Sequence, residues 1–161
     1  MKNLGILIVS VLALSTLNAQ KLNDKGLYVN DNENSAGLFN GELFNGVISE
    51  TKNGVKCEFS VKNGIVDGAA TYYYASGNKM ETGEFKNGQK DQQWIRYNEN
   101  GTTSAIAFYN LGKKNGTWLV FDDKGNKRFE MNYSNGDKSG VWTNWDENGT
   151  IVSSKDYSKL N

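Results

Sequence analysis

Histidine and proline are both absent from the 161 residues, and cysteine occurs once, at Cys57. Without histidine the chain lacks the commonest general base, the commonest transition-metal ligand and every Ser-His or Cys-His nucleophile pair. One cysteine excludes an intrachain disulfide and a cysteine-rich zinc site. Cys57 lies in the run Val55-Lys56-Cys57-Glu58-Phe59-Ser60-Val61, which reads as strand, so a small, half-buried packing residue is expected; a reactive thiol is the other reading. Excess charge of either sign is also missing, with 18 Lys+Arg against 18 Asp+Glu. Removal of Lys2 with the first residues leaves 17 against 18, and the lysines show no stripe along the chain. No electrostatic footprint for nucleic acid results.

What is present is glycine (18 residues) and 12% aromatic side chains. That combination argues against a disordered chain and suits short strands joined by glycine-based turns. The one long apolar run is Leu4–Leu14, behind Lys2 and ahead of the small, polar Ser15-Thr16-Leu17-Asn18-Ala19. It is shorter than the ~20 residues a membrane-spanning helix needs and reads as a secretory signal peptide over residues 1–19, cut near Ala19/Gln20. No cysteine stands at its end, so no lipobox is present. Export to the periplasm or the medium is the expectation; an uncleaved anchor is the alternative. Residues 20–39 form a polar leader or edge segment with a short apolar element, Leu27-Tyr28-Val29.

From residue 40 to 161 the chain is repetitive. Asn40-Gly41, Asn63-Gly64, Asn87-Gly88, Leu111-Gly112 and Asn135-Gly136 head units near 40–62, 63–86, 87–110, 111–134 and 135–158. Five residues after the head stand Gly68, Gln92, Gly116 and Gly140, the third unit departing from glycine. Then come Ala70, Trp94, Trp118 and Trp142, followed by Tyr73, Tyr97, Phe121 and Trp145. Gly77, Gly101, Gly125 and Gly149 form the next column, and Phe85, Tyr109, Tyr133 and Tyr157 close the units. Columns in phase over four units establish an internal repeat. The unit at 40–62 is worn, with Ile48 and Thr51 in the aromatic columns.

Each unit reads as a β-hairpin, with a first strand of about six residues such as Thr117–Asp122 and a second such as Lys127–Tyr133. An isolated hairpin is marginal, so the expected fold is all-β: an elongated antiparallel meander in which hairpins stack edge to edge. Ladders of Trp94, Trp118, Trp142 and of Tyr109, Tyr133, Tyr157 would join the units, each buried Trp covering roughly 150–250 Å². On that reading Trp118→Ala costs about 3–5 kcal/mol.

The motif N-G-x-x-x-G-x-W-x-x-[YFW]-x-x-x-G, as in residues 111–125 and 134–149, resembles the bacterial MORN-repeat variant family. The resemblance implies hairpin units in one continuous antiparallel sheet. Many members are described as antitoxin components of YwqK-type toxin–antitoxin systems, and eukaryotic MORN repeats are linked with membranes or protein partners.

Several sharper chemistries are open to the residues themselves. The aromatic columns offer a platform for stacking an envelope glycan, or simply sheet packing. The turns at Asn98–Gly101, Asp122–Asn126 and Asp146–Gly149 lack the alternating acidic series and distal glutamate of a calcium loop, so turn chemistry explains them. The Asn-x-Ser/Thr matches at Asn100, Asn115, Asn132 and Asn148 follow from turn composition. Among Glu42, Glu50, Glu58, Asp67, Glu81 and Glu84 no two stand out as an acid–base pair. The expectation is therefore a non-enzymatic, exported repeat protein without cofactor or metal that works by protein contact; glycan binding and an antitoxin-like role are the alternatives.

Overall fold

The computed structural model describes residues 38–39, 42–52 and 55–158, and the signal peptide and the Leu27-Tyr28-Val29 element lie outside the described residues. All described regular structure is β. A small ladder pairs β1 (Leu38–Phe39) with β2 (Glu42–Leu43). The remainder is one antiparallel sheet in which consecutive strands are neighbours. It runs β3 (Gly46–Lys52), β4 (Val55–Lys62), β5 (Ile65–Tyr73), β6 (Lys79–Lys86), β7 (Gln89–Tyr97) and β8 (Thr103–Asn110). It continues through β9 (Lys113–Lys114), β10 (Gly116–Phe121), β11 (Lys127–Ser134), β12 (Asp137–Trp145) and β13 (Ile151–Asp156). The expected all-β meander of hairpins is the observed fold.

The strands joining at each unit head are linked by two-residue turns. Asn63-Gly64, Asn87-Gly88, Leu111-Gly112 and Asn135-Gly136 all have positive φ at both positions, the signature of type I′ turns. Leu111 takes this conformation (φ 45°) with no amide side chain to favour it. Each turn is also tied backward to the preceding unit. The N–H groups of Gly88, Gly112 and Gly136 donate to the carbonyls of Val66, Lys90 and Lys114 at 2.7–2.8 Å. The neighbouring Asn87, Leu111 and Asn135 N–H groups donate to the side chains of Asp67, Asp91 and Asn115.

First strands are longer than the expected six residues: β5, β7 and β12 each have nine. The reason is a wide bulge in each. Thr82 pairs with Ile95 and Glu84 with Asp91, so Gly83 alone faces Gln92, Gln93 and Trp94. Ser60 and Met131 face three residues in the same way. β9 and β10 are one such strand, interrupted at Asn115, whose N–H bonds the Phe108 carbonyl. A left-handed residue makes each bulge: Gly68 (φ 104°), Gln92 (57°), Gly116 (84°) and Gly140 (55°). Gln92 thus keeps the backbone of its glycine counterparts, and the departure in sequence is not one in geometry. The worn first hairpin pairs β3 with β4 without any register shift and has no bulge.

Alternation along the strands assigns the faces. Cys57, Phe59 and Val61 of β4 are buried, together with Ile48, Ala70, Phe85 and Trp94. They define a core face, on which Phe59, Phe85, Tyr72 and Trp94 meet ring to ring at 5.1–6.2 Å. Cys57 is therefore a core residue, more deeply placed than the half-buried position expected for it.

Candidate functional site

The bulges explain why tryptophan recurs. A buried or half-buried indole N–H needs an acceptor, and beside each bulge a backbone carbonyl of the facing strand supplies one. Trp94, Trp118 and Trp142 donate Nε1–H to the carbonyls of Glu84, Phe108 and Asn132 at 3.1, 2.9 and 2.8 Å. The indole is thus fixed to the preceding strand and its ring lies along the core face.

There the two expected ladders merge into one. Tyr109, Trp118, Tyr133, Trp142 and Tyr157 alternate in a single row, with successive centroids 5.0–5.3 Å apart and rings tilted 55–60°. Phe85 and Trp94 begin the same row, 5.1 Å apart and edge-on. The third aromatic column is elsewhere. Three residues beyond a tryptophan the strand presents its other face, so Tyr97, Phe121 and Trp145 lie opposite. Tyr97 Oη is 3.4 Å from Thr82 Oγ1, and Lys127 stands 4.2 Å over Trp145 while pairing with Glu130. Tyr73 of the same column donates its hydroxyl to Glu58, whose carboxyl is held below its ordinary pKa by Lys56 and by that bond. Gly77, Gly101, Gly125 and Gly149 sit in the far turns with positive φ and open space around them, in the role of turn residues.

The lysine stripe that the sequence reading rejected does exist. Lys90, Lys114 and Lys138 stand four residues before each tryptophan, 24 residues apart. Their ammonium groups lie 3.6, 4.5 and 4.5 Å over Trp94, Trp118 and Trp142, and also reach Tyr109, Tyr133 and Tyr157. Lys155 covers Tyr157 from the last strand at 4.9 Å. These are cation–π contacts, favourable by about 0.5–1 kcal/mol each where exposed. An even spread of lysine over the whole chain hides the column; alignment on the tryptophans exposes it.

Three of the candidate carboxylates, Glu58, Asp67 and Glu81, are engaged by neighbours. Asp67 caps a turn, Glu58 bonds Lys56 and Tyr73, and Glu81 pairs with Lys90. Among the described residues no cluster of three or more acidic, cysteine or histidine side chains is placed to hold a metal. In the far turns Asp122 accepts from the N–H groups of Lys124 and Asn126, and Asp146 from those of Asn148 and Thr150. The Asn126 N–H above all holds the Asp122 carboxyl below its ordinary pKa. These oxygens close turns. Among the described residues one shallow, open cleft of about 430 Å³ lies between Gln92, Phe108 and Thr117, and another of about 350 Å³ beside Trp145 and Asn148. Neither contains a residue of the Trp94–Trp118–Trp142 column.

Compared with known protein families, the chain matches the pattern described as MORN repeat variant at residues 66–87, 114–135 and 138–159. Each match begins at or just before a bulged segment and ends in or beyond the closing strand. The stretch between the first two matches contains Gln92 and Leu111, where the other units carry Gly and Asn. No curated protein matches the chain.

Proposed function

The chain belongs to the MORN repeat variant family, and from that premise we propose that it is a non-enzymatic scaffold acting through protein–protein contact. Repeats of this kind serve as binding modules, and the core face of the last two hairpins is the surface best suited to contact. One observation carries the reading. The row Trp118, Tyr133, Trp142, Tyr157 is only half-buried, and Phe129 beside it is 44% exposed. A contiguous, half-open aromatic surface on a single-layer sheet is the kind of patch that marks an interaction site. The signal-like residues 1–19 support action outside the cytoplasm.

Stacking of a glycan is the less favoured use of this row, because lysine ammonium groups already lie over the Trp118 and Trp142 rings. A photo-crosslinking residue at Val120, on the aromatic face, tests the protein-contact reading in the producing cell. A discrete crosslinked protein is expected from Val120 and none from Leu119, its neighbour on the other face. Absence of any adduct, with saturable glycan binding lost in Trp118→Ala, would overturn it. Export is tested separately: N-terminal sequencing should find Gln20 first, and an intact Met1 in the cytosol would refute it.

A further inference from the structure

We propose that the partner of the aromatic face is an acidic polypeptide whose carboxylates seat on Lys114 and Lys138. This rests on the protein-contact reading above and gives it a chemistry. The argument comes from a comparison the repeat makes possible within one chain. In the third unit Lys90 lies over Trp94 and is bonded to the Glu81 carboxylate at 3.1 Å. The seat is thus complete: ring, ammonium and carboxylate. One unit on, Ala105 stands in the place of Glu81, and two units on, Phe129 does. Lys114 and Lys138 keep their rings and have no ion-pair partner among the described residues.

Nor does the rest of that face supply one. By strand alternation Glu130, Asp137 and Asp156 project from the other face. The strands of the last hairpins therefore carry Lys114, Lys138 and Lys155 on the core face and no carboxylate beside them, Asp122, Asp123, Asp146 and Glu147 lying in the far turns, although the whole chain is neutral. Glu81 shows what satisfies such a lysine, a carboxylate at the edge of an aromatic ring, and a partner would supply the same group from outside. Spacing narrows the form. Equivalent lysines are two strands apart, about 10 Å. Carboxylates seven residues apart on one face of a helix are about 10.5 Å apart. An amphipathic acidic helix laid across the strands matches both the two seats and the apolar rings between them.

The test uses two synthetic helical peptides, identical but for two Glu residues seven apart or Gln in their place, titrated into the purified mature chain and followed by tryptophan fluorescence. The Glu peptide should bind about tenfold more tightly than its twin at low ionic strength, with the difference shrinking as salt screens it. Lys114→Gln with Lys138→Gln should abolish the difference. Ala105→Glu, which supplies Lys114 with a carboxylate from within, should reduce it, while Ala105→Gln and Lys127→Gln on the other face should not. Circular dichroism melts confirm that each variant folds. Equal affinity for the two peptides would overturn the acidic partner while leaving protein contact intact, since crosslinking from Val120 decides that independently. Failure to bind either peptide, or binding to phosphatidylserine vesicles in preference to the Glu peptide, would also overturn it, the latter in favour of a membrane surface.

Discussion

The first three hairpins and the last two are built to the same plan and end in different states. Around Phe59, Ala70, Phe85 and Trp94 the core face is closed, and Trp94 is 1% exposed. From Ile95 to Ser158 no residue is buried, although the tryptophan–tyrosine row continues with the same contacts and the same indole hydrogen bonds. The column facing each tryptophan accounts for the difference. Trp94 lies flat on Gly83, where an added Cβ would stand 2.3 Å from the ring. Ala107 and then Met131 stand at the equivalent places, 24 and 48 residues on, in the strands that precede Trp118 and Trp142, so a side chain occupies the position that is empty at Gly83. At Gly83 the missing Cβ lets the ring close onto the backbone, within a cluster that Phe59, Ala70, Tyr72 and Phe85 complete. Stability and availability for contact are thereby divided between two parts of one sheet.

Breaking the closed half should have the largest effect. Trp94→Ala empties a fully buried site and frees the Glu84 carbonyl, at an expected cost of about 3–5 kcal/mol; the same change at Trp118 or Trp142 should cost about 1–2 kcal/mol. Chemical denaturation of the three variants ranks them, and equal losses would erase the distinction between the halves. The Trp118→Ala cost expected from sequence thus belongs to Trp94. Gly83→Ala forces the ring away and should destabilise by about 1–3 kcal/mol, whereas Ala107→Gly, at the equivalent place, should cost less than about 1 kcal/mol. Gln92→Gly relieves a left-handed backbone and should raise stability by about 0.5–1 kcal/mol, a gain visible as a higher midpoint in the same titrations.

The smallest effect is in alkali. Burial pushes the Tyr72 phenol well above its ordinary value of 10.0, and burial raises Tyr109 as well. A raised folded pKa means the unfolded chain loses its proton first, so stability is fully present below pH 10 and declines as pH rises above it. Tyr72→Phe should make that decline shallower in melts taken across pH 9–11, and an unchanged slope would place the titration outside the closed half.

The meander was legible because five columns stay in phase over four units; glycine, asparagine and aromatic positions each have one local physical reason to recur. Other features depended on register. That Tyr97, Phe121 and Trp145 leave the row of Trp94, Trp118 and Trp142 follows from strand alternation once the strand is known to run unbroken between them. The partition into closed and open halves turned on Gly83, Ala107 and Met131, whose meeting with tryptophan is fixed by a bulge that adds two residues to one strand. No glycine rule finds the bulge at Gln92. Lys90, Lys114 and Lys138 carried a readable period, masked by fifteen other basic residues.

The glycine N–H bonds of the two-residue turns all point one way: Gly88 to Val66, Gly112 to Lys90, Gly136 to Lys114. At these heads each hairpin hands its turn to the one made before it on the chain, while at the opposite end of the second hairpin Tyr74 and Asn78 reach forward to the carbonyls of Tyr97 and Glu99. Growth from the N-terminal side therefore finds the template for these turns already in place, and the sheet can be lengthened in whole units of 24 residues without stranding one of their N–H groups. An insertion of any other length would carry the next turn past its acceptor. The molecule counts in hairpins.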